Sequence, residues 1–193
     1  MGKGLPPSRP SLASIAHHEA GHFVVGKAVG REPYELSIEQ DGDTLGQVDG
    51  EEDIYDHEAD VLVLNPKRAR ACIVGLYAGA AAQLRFGEKA ALVRAGASSD
   101  DGDAGRVLES LTTPSRRAAE EKRLRARSTR LVAENWDEIV AVASELLKYR
   151  RIDFVHAELV IDVVRGRELQ TTLDRYLQTW SDRLLLTRAQ PQR

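Results

Sequence analysis

The residues with the clearest chemical potential lie near the start of the chain, in the segment His17-His18-Glu19-Ala20-Gly21-His22. Within this segment, His18, Glu19 and His22 follow the pattern H-E-x-x-H. On a helix, residues i and i+4 lie one above the other, so His18 and His22 can direct their imidazoles at one point. Neutral imidazole is a good zinc ligand. The spacing therefore predicts a zinc site built on a helix.

Zinc held in this way would make the site hydrolytic. A bound zinc ion lowers the pKa of its water to about 7, which creates a nucleophile at neutral pH. Glu19 follows the first ligand directly, so it can act as a general base toward that water and later protonate the leaving amine. The same pattern also arises by chance on exposed helix ends. Val24 and Val25 favour the metal site, because they place the helix against a core, where unpaired imidazoles would be costly.

The third ligand does not follow from spacing. The longer H-E-x-x-H-x-x-G-x-x-H pattern is absent, since Val25 stands at its glycine and Ala28 at its third histidine. We expect His57 and His156 to be surface or internally paired residues. A downstream carboxylate is the better candidate, because zinc accepts carboxylate oxygen. Four acids remain open as ligands: Glu58, Asp100, Asp101 and Asp103. Asp100 would equally suit a helix N-cap.

Mostly helical elements must position these residues. Ser11 or Ser14 can cap an amphipathic helix over residues 12–29 that ends at Gly30. A second helix over residues 67–86, ending at Gly87, is rich in small residues at 78–82 and is expected to pack centrally. A loop ends at Asp100. Another helix is predicted from there to about Leu111, and three more over residues 116–149, 155–164 (before Gly166) and 168–186. The last of these is amphipathic, and its apolar face consists of Leu169, Leu173, Tyr176, Leu177 and Trp180.

One stretch alternates as a strand does. Leu36 and Ile38 alternate with polar neighbours over residues 34–40, Asp41-Gly42 is a turn signal, and residues 44–48 can form the returning strand. The sequence therefore predicts a small β-hairpin beside the helices.

Composition narrows the class of protein. The chain has 193 residues, of which 42% are hydrophobic and 30% are charged, as in one globular domain. Cys72 is the only cysteine, so no internal disulfide forms. The apolar stretch 71–82 is too short to span a bilayer, the first residues have no signal-peptide core, and no G-x-x-x-x-G-K-[ST] loop is present. We expect a cytoplasmic protein with no membrane span and no ATP-driven motor.

Charge is unevenly distributed along the chain. Residues 32–65 are acidic and contain no Lys or Arg, whereas residues 116–130 carry seven basic residues against Glu120 and Glu121. The basic run contains no aromatic residue for stacking, so we interpret it as a solvated helix and expect no nucleic-acid binding. The opposed charges of the two segments would allow self-association.

Several motifs together resemble the peptidase domain of FtsH-type zinc metalloproteases. The segment 17–22 is similar to its H-E-A-G-H signature, residues 80–88 to its A-A-E-E-L-x-F-G-E helix end, residues 96–100 to its G-A-S-N-D segment, and residues 131–161 to its last helices. The resemblance implies that His18, His22 and Asp100 bind zinc and that Glu19 is the catalytic acid/base. It also implies a mainly α, zincin-like peptidase domain with a small β-hairpin at its edge. Because the peptidase domains of this family form rings, we expect that the chain can form a homo-oligomer.

The chain departs from the family pattern in places. Phe23 replaces a small residue, and Ala82 and Gln83 stand at the acidic pair. We also expect the domain to act without the membrane segments and the ATPase module that precede it in the family. We expect a flexible N-terminal arm at 1–12, the zinc metallopeptidase domain at 13–165 and an amphipathic helical extension at 166–193.

The expected activity is zinc-dependent endoproteolysis of flexible or unfolded segments, which needs no ATP. The protein or peptide substrate would be aligned on strand 36–40 or 44–48. A separate partner protein could supply substrates. The alternatives are a catalytically weak zinc-binding regulator or adaptor, and a processing peptidase dedicated to one regulator.

Overall fold

The computed structural model describes residues 9–31, 33–39, 47–50, 55–56, 61–62 and 65–188. This part of the chain is mainly α, as predicted, and contains eight helices and five short strands. In chain order they are α1 (Leu12–Ala28), β1 (Pro33–Ser37), β2 (Gln47–Gly50), β3 (Tyr55–Asp56), β4 (Val61–Leu62), α2 (Pro66–Phe86), α3 (Ala90–Gly96), α4 (Ser98–Leu111), α5 (Pro114–Glu134), α6 (Trp136–Tyr149), β5 (Arg151–Asp153), α7 (Phe154–Val164) and α8 (Gln170–Arg188).

Helices α1 and α2 are the central antiparallel pair, and local signals set their ends. The Ser11 hydroxyl accepts a hydrogen bond from the Ser14 amide at 3.1 Å, which confirms the predicted cap of α1. Asn65 caps α2 through its side-chain oxygen, and Gly87 ends that helix at a φ of 103°. The predicted boundaries of both helices are confirmed to within one residue.

The α1–α2 contact is close because small residues line it. A Cβ built on Gly21 of α1 would lie 2.7 Å from the Ala82 Cβ and 2.8 Å from the Ala78 carbonyl oxygen of α2. Buried residues occur all around α1, on which α6 and β1 also pack. The prediction that α1 is amphipathic is therefore wrong, because neighbours cover it on several sides, whereas the central position predicted for α2 is confirmed.

Replacing Gly21 by Ala is expected to lower the free energy of unfolding by about 1–3 kcal/mol, although alanine favours helix. The added methyl would meet backbone and a short side chain, which cannot swing aside. The matched control is Gly105→Ala in α4, where a Cβ would meet no heavy atom within 4 Å. There we expect a gain of about 0.5–1 kcal/mol. Urea unfolding measures both changes, and equal stability of the two variants would contradict this account of the interface.

The main sheet has three antiparallel strands in the order β2-β1-β5. The predicted β1–β2 pairing is confirmed for the described residues of β2, whereas residues 44–46 of the expected strand and the turn at Asp41-Gly42 lie outside the described residues. Leu36 is opposite Val48 on one side and Ile152 on the other, and the Ile38 amide donates to the Arg150 carbonyl at 2.8 Å. Strand β1 therefore has a neighbour on both sides. Of the two strands proposed to align a peptide, only β2 has a free edge among the described residues.

Three other expectations about the elements are wrong. The single helix expected over 116–149 is broken at Asn135, whose φ of −115° and ψ of 31° lie outside helical values, and becomes α5 and α6. The loop expected before Asp100 contains α3, whose seven residues are too few for a clear periodicity. Leu169 precedes α8 and is 72% exposed, so it does not join the apolar face, whereas Leu173 of α8 is buried in the core.

Ion pairs account for several of the basic residues on α5. Arg117 pairs with Glu109, Arg125 with Asp101 and Glu121, and Arg123 and Arg70 both pair with Glu120. Pairing with acids on the same and neighbouring helices is typical of a solvated helix face, as the sequence indicated. In the described part of the chain, no helix combines the length and the apolar character needed to cross a membrane.

Candidate metal centre

Helix α1 presents the two histidines of the H-E-x-x-H pattern on one face. The Nε2 atoms of His18 and His22 lie 2.9 Å apart, as the i, i+4 spacing predicts. Their side chains keep 12% and 13% of their surface exposed. The pair therefore lies at the wall of a site that solvent can still reach.

Helix α4 supplies the third group. The Oδ2 atom of Asp100 lies 3.1 Å from the His18 Nε2 and 3.3 Å from the His22 Nε2. Asp100 is in the first turn of α4, where the helix dipole favours negative charge. It is not the N-cap, since Ala97 occupies that position. Of the four acids that the sequence left open, Asp100 is therefore the one that joins the two histidines.

Hydrogen bonds at the far side of each imidazole fix its tautomer. The His18 Nδ1 donates to the Gln83 Oε1 at 2.9 Å, and the His22 Nδ1 donates to the Gly75 carbonyl oxygen at 2.8 Å. Both acceptors are oxygens, so each neutral ring carries its proton on Nδ1 and a lone pair on Nε2. The lone pairs of the two Nε2 atoms and the Oδ2 atom of Asp100 then point at one another. These three acceptors repel one another unless a cation or a proton lies between them.

The dimensions of this set suit zinc. Ligand atoms about 2.0–2.1 Å from a tetrahedral zinc ion lie roughly 3.3 Å from one another. The three separations here, 2.9, 3.1 and 3.3 Å, are close to that value. Two imidazoles and one carboxylate are also a donor set that catalytic zinc sites use, with a fourth position left for water. The residues present therefore fit the metal that the sequence predicts.

The carboxylate of Asp100 is ionised at neutral pH. Burial acts to raise its pKa, but when the two rings are protonated at Nε2 as well, His18 and His22 donate hydrogen bonds to this carboxylate and attract it. These effects outweigh burial and hold the pKa of Asp100 below its ordinary value. An acid with such a low pKa is already deprotonated for metal binding.

Glu19 lies beside this cluster on α1 and is itself only 5% exposed. Burial raises the pKa of Glu19 to about 7; the charge of Asp100 adds to this effect and His18 opposes it. A carboxyl group with a pKa near neutrality can both accept and return a proton, which is what a general acid/base must do.

Helix α2 supports the cluster along one stripe, formed by Gly75, Gly79 and Gln83 at intervals of four residues. Gly75 and Gln83 accept the two Nδ1 hydrogen bonds. A Cβ built on Gly79 would lie 2.5 Å from the His22 Nε2 and 2.6 Å from the His18 Nε2. None of these three roles was predicted from the sequence. One signal was available, namely a glutamine that directly follows three alanines on a helix expected to pack centrally.

The other candidates lie elsewhere. Asp101 pairs with Arg125, Asp103 pairs with Arg106, and the buried His156 pairs with Glu145 at 2.9 Å. His17 stacks on Phe86 with 4.1 Å between ring centroids, on the side of α1 that meets α6. Burial lowers the pKa of His17, and its Nδ1 donates to the Ala13 carbonyl oxygen at 2.7 Å. His57 and Glu58 lie outside the described residues.

Comparison with known protein families finds no family model that matches this chain. A search of curated proteins likewise finds no significant match. The resemblance to FtsH-type peptidases therefore rests on the motifs quoted above, and the zincin-like fold stays a prediction.

Proposed function

We propose that this protein is a zinc-dependent metalloendopeptidase that cleaves flexible or unfolded protein segments without hydrolysing ATP itself. One observation carries the proposal. Two imidazole lone pairs and one carboxylate oxygen meet within 3.3 Å of one another, and a buried carboxyl group follows the first histidine in the chain. This is the arrangement that hydrolytic zinc sites of the H-E-x-x-H type require.

His18, His22 and Asp100 would hold the ion. When bound, zinc supplies a Lewis acid that polarises a carbonyl group and lowers the pKa of water. Gln83 and the Gly75 carbonyl keep the two imidazoles in the tautomer that binds metal. The exposed fractions of the three side chains, between 12% and 21%, leave an approach for water and substrate.

Glu19 would carry the proton through the reaction. As a carboxylate it takes one proton from the water molecule while the water oxygen forms a bond to the peptide carbonyl carbon. The carbon–nitrogen bond then breaks, and Glu19 returns the proton to the leaving nitrogen, so that a carboxylic acid and an amine are produced. The raised pKa of Glu19 suits both transfers.

The substrate would have to arrive in extended form. This sequence contains no G-x-x-x-x-G-K-[ST] loop that would couple ATP hydrolysis to unfolding. Among the described residues, β2 offers a free strand edge on which an extended peptide could pair. Flexible tails, loops and unfolded chains meet this requirement without prior unfolding.

The decisive experiment joins metal analysis to a cleavage assay on an unfolded casein-type substrate. We expect one zinc per chain and cleavage by the wild type, and the loss of both in Asp100→Ala. Asp103→Ala is the matched control, since Asp103 lies one turn further along α4 and pairs with Arg106. Wild-type protein that binds no zinc, or that binds zinc without cleaving, would refute the proposal, the second result in favour of a regulatory protein. A single specific cut would instead indicate a dedicated processing peptidase.

A further inference from the structure

Gln83 is buried in the last turns of α2, with 3% of its surface exposed. Its Oε1 accepts from the His18 Nδ1 at 2.9 Å, and its Nε2 donates to the Ser14 Oγ at 3.1 Å. Ser14 lies one turn before His18 on α1 and is fully buried. Both ends of the amide therefore have partners, with its oxygen towards His18 and its nitrogen towards Ser14.

The acceptors behind the two histidines differ in kind. The His22 Nδ1 donates to the carbonyl oxygen of Gly75, a main-chain atom that the helix holds in place. The His18 Nδ1 donates to a side chain, so its acceptor depends on one residue type. Both acceptors are neutral, whereas metal-bound histidines often have a carboxylate behind them, which makes the imidazole a stronger ligand.

We propose that Gln83 is a positioning residue that fixes the tautomer and orientation of His18, and that its neutral amide sets the metal affinity below the level that a carboxylate would give. This inference rests on the proposed metal site and concerns how tightly that site holds its ion. Gln83 acts through His18 and contacts neither ion nor substrate itself.

The surroundings of Gln83 would accept a carboxylate. The His18 Nδ1–H is already directed at one oxygen of the side chain. At the other end, the Ser14 hydroxyl accepts a bond at present, but a hydroxyl can rotate and donate instead. A glutamate at this position would therefore have two donors, and the buried charge would be hydrogen-bonded at both oxygens.

The test compares Gln83→Met and Gln83→Glu with the wild type by two readouts, the affinity for Zn²⁺ in a chelator competition and the visible spectrum of the Co²⁺-loaded protein. We expect Gln83→Met to bind zinc about 10–100-fold more weakly, and Gln83→Glu to bind it about tenfold more tightly. The Co²⁺ bands should shift in both variants, because the donor strength of His18 changes. The matched control is Gln178→Met on an exposed part of α8, which should match the wild type.

The outcomes separate this inference from the proposed function. A wild type that binds neither ion contradicts the metal site itself, whereas binding without cleavage leaves the role of Gln83 intact. Unchanged affinity and spectrum in Gln83→Met would overturn the inference alone. Should Gln83→Met fail to fold, two other variants test the inference. Gln83→Glu must then bind zinc more tightly than the wild type, and Ser14→Ala must bind it more weakly.

Discussion

Replacing Glu19 by Gln is expected to lower the rate of peptide cleavage by about 10²–10⁴-fold while leaving zinc bound. Glutamine keeps the size of the side chain and removes its ability to take up and return a proton. The three groups that would hold the metal are His18, His22 and Asp100, none of which the substitution alters. Steady-state cleavage of an unfolded substrate, together with zinc content by elemental analysis, measures both parts of the expectation.

The same substitution is expected to stabilise the metal-free protein above neutral pH. Burial raises the pKa of Glu19 from 4.5 to about 7, so the folded state holds a proton that the unfolded state releases. The stability from this protonation is fully present below about pH 4.5 and is lost as the pH rises through 7. Gln cannot ionise, so the advantage of Glu19→Gln should grow across this window and reach up to about 3 kcal/mol.

Urea unfolding of the chelated protein between pH 5 and 8.5 tests this expectation. The control is Glu168→Gln, because Glu168 is exposed and the same substitution there removes no buried carboxyl group. A stability difference for Glu19→Gln that does not change with pH would mean that the buried carboxyl is not protonated in the folded state. Full cleavage activity of Glu19→Gln would rule out Glu19 as the acid/base.

Gly79→Ala is expected to abolish metal binding, with an affinity at least about 100-fold below that of the wild type. The new methyl would lie 2.5–2.6 Å from both Nε2 atoms, inside the space that the ion and its ligands need. The imidazoles cannot retreat without breaking the Nδ1 hydrogen bonds to Gln83 and Gly75. Zinc titration followed by calorimetry measures the loss, and circular dichroism checks that the helices are retained.

Gly75→Ala is the matched control on the same helix, one turn away. Its Cβ would meet the Arg31 Nη1 at 3.2 Å, which is the end of a flexible side chain that can shift. We expect this variant to bind zinc nearly as the wild type does. Equal affinities of Gly79→Ala and wild type would show that the ion, if bound, lies away from Gly79.

The histidine pair could be predicted from the sequence because its geometry is local. The i, i+4 spacing fixes the relation of His18 to His22 wherever the helix lies. Asp100 follows 82 residues after His18, and spacing carries no information about how α4 packs on α1. Only the resemblance separated Asp100 from Asp101 and Asp103, and the contacts agree with that choice.

Helix boundaries were predictable where a cap marks them, as at Ser11 and Gly87. The break at Asn135 was not, because apolar residues recur at helical spacing on both sides of it and no glycine or proline marks it. Gln83 was noticed only as a departure from a motif. Its role depends on the approach of α1 to α2, which a pattern along one helix does not contain.

Because Gly75, Gly79 and Gln83 form one stripe on α2, the proposed centre is sensitive to insertions and deletions in that helix as well as to substitutions. Each residue of an α-helix turns the next by about 100°, so one inserted or deleted residue between Gly75 and Gln83 would rotate one acceptor off the face that meets α1. Point changes elsewhere on α2 would leave this register intact. The proposed centre thus depends on the number of residues between Gly75 and Gln83 of α2, although α2 provides none of the three metal-binding groups.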